Sequence, residues 1–429
     1  MPPKAPIPVG PAAGFTGLGI APGLLQILAK MKFTTPTPIQ HQAIPIAIEG
    51  KDVIGIAQTG TGKTLAFGIP LLQRLAANGG RALIVLPTRE LAYQVEDSLK
   101  PFATALGIRT AVFVGGASMN LQRGMLRQNP RILIATPGRL NDHLEQRTVT
   151  LKEVSVLVLD EADRMLDMGF KPQIDRILAH VPKVRQTMLF SATMPREILQ
   201  LASSQMQLPL RIEVAPAGTT ADRVEQEIFV VRREEKLQLL EKLLQEYTGS
   251  VLVFSRTKHG AKKMTRSLRT MGHSAAEIHA NRSLAQRREA LEGFKSGRYR
   301  VLVATDIAAR GIDVTGISVV INFDLPDDPG DYVHRIGRTA RAGREGRAIS
   351  FATPDQSQDI KSIERLIRAQ IRRTPLPVLP PARKVEHTDR DDDRPRWGGR
   401  QQSSFGNRGG GGFGGSGRRQ SGGGGRRFR

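Results

Sequence analysis

The chain has 429 residues, with 63 Lys and Arg against 40 Asp and Glu, a formal charge of +23 and no cysteine. At roughly 100–200 residues per domain the length predicts two or three units, and the missing cysteine excludes a disulfide scaffold, a thiolate zinc site and a cysteine nucleophile. So large a positive excess is drawn to polyanions, which makes nucleic acid the expected partner; a membrane surface fits less well, because no basic helix carries a broad apolar face. No apolar run nears the ~18 residues of a spanning helix, and the first fifteen residues hold no signal-peptide core. The expectation is a cytoplasmic protein with no membrane partner.

Strand-like β-branched runs fall at residues 53–56, 82–86, 111–114, 132–135, 154–159 and 187–190, separated by helix-compatible stretches. A second series follows at 228–231, 251–254, 301–304, 318–323 and 348–352. Apolar strands alternating with helices predict parallel sheets covered on both faces. Residues 214–222 between the series (VAPAGTTAD) are small and polar and read as a linker. The Pro-rich stretch 375–381 marks where folding stops. Beyond it, residues 394–429 carry nine Arg, no acid, long Gly runs, Trp397 and the isolated Phe405, Phe413 and Phe428. Such composition cannot bury enough apolar surface to offset chain entropy, which predicts a disordered basic tail.

After the first run comes Ala57-Gln58-Thr59-Gly60-Thr61-Gly62-Lys63-Thr64. Small residues let backbone N–H groups close around phosphate oxygens, with the positive end of the next helix behind them. Lys63 would reach the β- and γ-phosphates and the Thr64 hydroxyl would ligate Mg²⁺. Ala57 stands where the general phosphate-loop pattern has Gly, and Gly-rich strand-to-helix turns also exist for packing alone. The run 154–159 ends in Asp160-Glu161-Ala162-Asp163. Buried parallel strands deliver their carboxyl ends to the ligand edge of a sheet, so Asp160 suits the metal, directly or through water, and Glu161 suits deprotonation of an attacking water. The alternative is a solvated acidic helix start favoured by the helix dipole.

The loop at 57–64 with the tetrad at 160–163 resembles the DEAD-box family of RNA helicases, within helicase superfamily two. Further matching blocks run in family order: FTTPTPIQ at 33–40, PTRELA at 87–92, Gly115-Gly116, TPGR at 136–139 and Ser191-Ala192-Thr193. The second series adds VFSR at 253–256, ATDIAARGID at 304–313 and HRIGRTAR at 334–341. Together they span Phe15 to about Phe351, and the short core with its basic tail is most similar to the bacterial RhlE-like subgroup.

The resemblance implies two tandem RecA-like α/β domains joined by a short linker, with the disordered Arg/Gly-rich tail appended. The boundaries expected are a flexible arm at 1–14, an adenine-recognition segment at 15–42, the first domain at 43–213, the linker at 214–223, the second domain at 224–374 and the tail at 375–429. It implies ATP and Mg²⁺, with Ala57, Gln58, Thr59, Gly60, Thr61, Gly62, Lys63 and Thr64 around the phosphates and Gln40 at adenine. A Gln amide donates and accepts at once, as a purine edge requires. Phe15 resembles the aromatic that stacks on the base; packing of the N-terminal arm is the other reading. From the second domain, Gly311 and Asp313 match nucleotide-contacting positions. Arg338 and Arg341, three apart, match arginine fingers beside the catalytic Lys63, Asp160 and Glu161. Arg335 reads as structural or as a contact of the acidic motif.

Asp163, Ser191, Thr193 and His334 resemble coupling residues, although Ser191 and Thr193 could simply end a strand and cap a helix. Arg89, Gly116, Thr136, Arg139, Arg256 and Thr305 match RNA-backbone contacts, which predicts recognition largely independent of sequence. The family Gly is replaced by Ala340, and HANRSLAQ at 279–286 follows its block only loosely. The implied activity is RNA-stimulated ATP hydrolysis coupled to cleft closure and non-processive opening of short duplexes. Implied partners are single-stranded RNA and short duplexes, with ribosomal or RNA-decay proteins, around a monomeric core. An ATP-gated clamp or annealing chaperone using the basic tail is the competing expectation, and a DNA translocase a third.

Overall fold

The computed structural model describes residues 14–58, 60–214, 224–309, 314, 317–340 and 346–381. Seven strands form the first sheet: β1 (Val53–Ile56), β2 (Arg81–Val85), β3 (Thr110–Phe113), β4 (Ile132–Ala135), β5 (Val154–Leu159), β6 (Gln186–Ser191) and β7 (Leu210–Glu213). The second comprises β8 (Val224–Val230), β9 (Val251–Phe254), β10 (Ala275–Ile278), β11 (Val301–Ala304), β12 (Val319–Asn322), β13 (Gly346–Ala352) and β14 (Arg372–Thr374). Every pairing is parallel. Central strands such as β1, β4 and β9 are buried at each position, because helices cover both faces and each face forms its own apolar core.

The sheets run β3-β4-β2-β5-β6-β1-β7 and β10-β11-β9-β12-β13-β8-β14. Counted within its own domain, each is third, fourth, second, fifth, sixth, first, seventh, so the two halves share one topology. Three strands lay outside the sequence expectation, β7, β10 and β14, and all three are edges. An edge strand has a neighbour on one side only and needs no continuous apolar run: β7 buries one residue of four and β14 none.

Folding does not stop at Pro375. Gln238 Nε2 donates to the Pro380 carbonyl at 2.8 Å, and Leu379 packs on the second domain's core. At the other end Phe15, Leu18, Ile20, Leu24 and Leu28 are buried in the first core, so the segment expected for adenine is packed into the first domain.

Candidate nucleotide and nucleic-acid site

The strand order sorts the candidate residues. β5, β6 and β1 lie side by side, so their carboxyl ends bring Asp160–Asp163, Ser191–Thr193 and the loop after Ile56 together. The Ala57 N–H donates to the Ser191 carbonyl at 2.9 Å, which joins two of these segments directly. Gly60 and Gly62 have φ of 86° and 91°, a region closed to residues with a Cβ except at a cost. At Gly62 a Cβ would also strike the Gln40 amide and the Thr37 hydroxyl. Gln40 is buried, accepts from the Thr37 N–H at 2.9 Å and donates to the Gly62 carbonyl at 3.0 Å. Its amide therefore grips the phosphate loop itself, a contact the sequence reading had not included. Thr61 Oγ1 closes the turn by donating to the Gln58 carbonyl at 2.7 Å.

Lys63 opens the helix Lys63–Asn78, and its ammonium is buried 3.6 Å from Asp160 Oδ1 without a hydrogen-bond partner. A buried cation with three unused donors, beside a loop of left-handed glycines at a helix N-terminus, fits a triphosphate. Asp160 with Thr64 at the next helical position fits Mg²⁺, which takes one or two carboxylates and completes its shell with phosphate and water. Burial pushes the Asp160 carboxyl up to about 6, with Lys63 opposing. Burial acts the same way on Glu161, but Arg164, Lys63 and Arg338 together hold that carboxyl well below the usual range. Glu161 has φ of 52°, a strained left-handed conformation of the kind that concentrates at functional sites. Its Oε2 accepts from Arg164 Nη1 at 2.5 Å.

Asp163 is bound by the loop after β6. Its Oδ2 accepts from the Ala192 and Thr193 N–H groups at 3.1 and 2.8 Å and from Thr193 Oγ1 at 2.8 Å, while its own N–H donates to Ser191 Oγ at 3.3 Å. Ser191 and Thr193 thus hold Asp163, beyond ending a strand. His334 of the second domain sits in the same electrostatic neighbourhood: burial and then Arg164 push its imidazole down, while Asp163 opposes. Arg338 is buried, with Nε donating to the His334 carbonyl at 3.2 Å. A cavity of about 10 Å³ is lined by Arg164 of the first domain together with Phe254, His334, Arg335 and Arg338 of the second. Arg335 is structural: it forks onto Asp306 at 2.6 and 2.7 Å and donates to the Asp324 carbonyl at 2.6 Å. Thr59, Gly311, Asp313 and Arg341 lie outside the described residues. Phe15 is 5% exposed within the apolar core, the packing alternative.

The RNA candidates occupy the other half of each sheet. Arg89, Gly116, Thr136 and Arg139 follow β2, β3 and β4; Arg256 and Thr305 follow β9 and β11, the matching strands of the second domain. The Arg89 guanidinium lies against Gly115 and Gly116, where a Cβ would collide with it, and Gly116 has φ of 79°. Arg139 Nη1 donates to the Ala117 carbonyl at 2.9 Å, so both arginines hold the Gly-Gly loop. Thr136 Oγ1 turns to the Phe113 carbonyl at 3.4 Å, and the Thr305 N–H donates to the Ile278 carbonyl at 3.3 Å. Arg256 donates through Nη2 to the Leu325 carbonyl at 3.3 Å and pairs with Asp327 at 3.3 Å.

One interdomain contact escaped the sequence. Glu90, beside Arg89, accepts from Arg287 of the second domain at 2.8 Å, both side chains being buried, and Leu284 packs on the first domain's core. The partners stand 197 residues apart, and no local pattern pairs them. Glu90 lies within PTRELA at 87–92, and Arg287 immediately follows the segment 279–286 that departs from the family block.

Models of the DEAD/DEAH box helicase and of the helicase conserved C-terminal domain match residues 37–201 and 235–343. The ATP-dependent rRNA helicase RRP3 of Meyerozyma guilliermondii is 44% identical over 367 residues, covering 85% of this chain and 77% of that one. The DEAD-box ATP-dependent RNA helicase CshA of Bacillus anthracis is 43% identical over 368 residues, covering 85% and 70%. Among solved structures, S. cerevisiae Dbp5 bound to RNA and ADP BeF3 is similar with a TM-score of 0.76 at 32% identity, covering 85% of this chain and 96% of that one.

Proposed function

This chain belongs to the DEAD-box family of ATP-dependent RNA helicases, and from that premise we propose that closure of its two domains drives ATP hydrolysis and the local, non-processive opening of short RNA duplexes. The observation that carries the reading is one cluster drawn from both domains: buried Asp160, Glu161, Asp163 and Arg164 from the first, half-buried His334 and buried Arg338 from the second. A site assembled from two lobes binds its ligand better when they meet, the only way a ligand can drive closure.

Lys63 supplies charge to the phosphates. Asp160 and Thr64 would hold Mg²⁺, which when bound would supply positive charge to screen the triphosphate. Glu161, ionised throughout the physiological range, accepts the proton of the attacking water. Arg338 brings a guanidinium from the opposite lobe, a contribution worth about 10³–10⁵ in rate for such fingers, and Arg341 is its proposed companion. Gln40 joins adenine recognition to the phosphate loop, because the amide that would meet the base already holds Gly62. Arg89, Gly116, Thr136, Arg139, Arg256 and Thr305 would touch phosphate and ribose rather than base edges, giving binding largely independent of sequence. The RhlE-like assignment stays a reading of the short core and basic tail.

The test compares ATP turnover stimulated by RNA and by DNA of identical sequence, with Glu161→Gln alongside. RNA alone should stimulate, and the variant should bind ATP with turnover lost. Equal stimulation by DNA makes the chain a DNA translocase, and undiminished turnover in Glu161→Gln refutes the assigned base.

A further inference from the structure

Helix Lys258–Thr270 carries Lys258, Lys262, Lys263, Arg266 and Arg269 and no carboxylate. Among the described helices of eight residues or more, no other holds more than two Lys or Arg without an acid. All five of these side chains are exposed, while Ala261, Met264 and Leu268 on the opposite face are buried in the core. At 3.6 residues per turn, Lys258, Lys262, Arg266 and Arg269 fall within about 80° of one another, in a stripe roughly 16 Å long with steps of ~6 Å or less. Two other exposed helices pair cations at i,i+4, Lys171 with Asp175 at 2.9 Å and Arg288 with Glu292 at 2.8 Å, a common route to a soluble face. This helix contains no carboxylate for an i,i+4 pair, and its last cation, Arg269, donates through Nε to the Ala275 carbonyl at 2.8 Å.

The stripe also begins beside a proposed RNA contact. The helix starts two residues after Arg256, and Thr257 Oγ1 caps it by accepting from the Gly260 N–H at 2.9 Å. Single-strand surfaces add aromatic rings on which bases stack. This helix has no Phe, Tyr or Trp, so it can grip phosphates but not unstacked bases. Duplex RNA is read through shape and backbone, and a rigid row of cations is suited to it.

We propose that the exposed face of helix Lys258–Thr270 is a second RNA-binding surface, which holds the backbone of the duplex adjoining the strand gripped by the core. The inference rests on the RNA-helicase reading and adds to it a place where the duplex is anchored while its end is opened.

The test uses the full chain with Lys258→Gln, Lys262→Gln and Arg266→Gln combined, and two probes: a short single strand, and that strand continued into a duplex. Affinity for the single strand should be unchanged. The tailed duplex should bind roughly tenfold more weakly, with a log–log salt slope reduced by about 2–3, at ~0.9 per duplex phosphate contact. A charge-keeping variant, Lys258→Arg with Lys262→Arg and Arg266→Lys, should bind both probes normally. Unchanged affinity and slope for the tailed duplex overturn the inference. So does an equal loss on both probes, which would put the helix in the single-strand track, or a loss in the charge-keeping variant. RNA-stimulated ATP turnover with the short strand, measured in parallel, reports on the helicase reading alone.

Discussion

Removing one partner of the Glu90–Arg287 pair should damage closure more than removing both. The pair meets at 2.8 Å with side chains 4% and 9% exposed. Its Coulomb attraction at that separation and an effective dielectric near 20 is about 6 kcal/mol, against several kcal/mol of desolvation for each ion. Glu90 Oε1 and Arg287 Nε have no hydrogen-bond partner, and burial pulls the Arg287 guanidinium below its ordinary value despite Glu90 opposing. Desolvation is thus incompletely offset, and the net worth of the pair is near zero. In Glu90→Leu, however, closure must bury an uncompensated guanidinium, at a cost of about 3–5 kcal/mol, or roughly two to four orders of magnitude in the closure equilibrium. In Glu90→Leu with Arg287→Met, the apolar pair would sit by Leu284 and Leu291 and restore most of the loss. Because the chain has no cysteine, one Cys introduced in each domain gives a clean dye pair, and energy transfer with ATP and RNA present reads the closed fraction. A double variant as impaired as the worse single one would refute the reasoning, as would a silent Glu90→Leu.

Asp160, raised to about 6 by burial, should make metal–nucleotide binding proton-coupled. A carboxyl raised in the folded protein favours the fold while protonated, and that contribution is lost as pH rises through 6; the metal needs the anion. Calorimetry of Mg–ATP binding in buffers of different ionisation enthalpy should show about three-quarters of a proton released at pH 5.5 and almost none at pH 7.5; buffer-independent heats at the lower pH would contradict it. Gly62→Ala puts a Cβ at φ of 91° and against Gln40, a strain of about 1–2 kcal/mol. Fluorescent-nucleotide titration should register at least a tenfold loss, and wild-type affinity would show that the loop yields freely. Ala340 has φ of 54°, which explains the glycine usual in the family. Ala340→Gly should relieve about 0.5 kcal/mol net of the added chain entropy and raise Tm by about 1–2 °C; a fall would mean the side chain packs better than its backbone suffers.

Much was legible in order along the chain. The apolar runs at 53–56, 132–135, 154–159, 251–254 and 301–304 coincide with strands, because strands buried on both faces must be apolar at every position. Loop and acid tetrad were legible because each candidate residue there lies within a few residues of a strand end. The edge strands β7, β10 and β14 were not, since residues such as Arg211, Glu277 and Arg373 break any apolar pattern while the backbone still pairs on one side. Nor was the hold of Pro380 on Gln238, which depends on a helix more than a hundred residues away.

The amino-acid order determined the chemistry: which groups carry charge, which turns require glycine, and which runs must be buried. Only the tertiary structure decided who meets whom. The strand order placed the ends of β5, β6 and β1 together and those of β3, β4 and β2 apart, in both domains alike. Packing set Gln40 on Gly62, Asp163 on Thr193 and Glu90 on Arg287. The reason is that local preferences act over a few residues, whereas these contacts join segments that only burial of distant apolar surface brings within a hydrogen bond's reach.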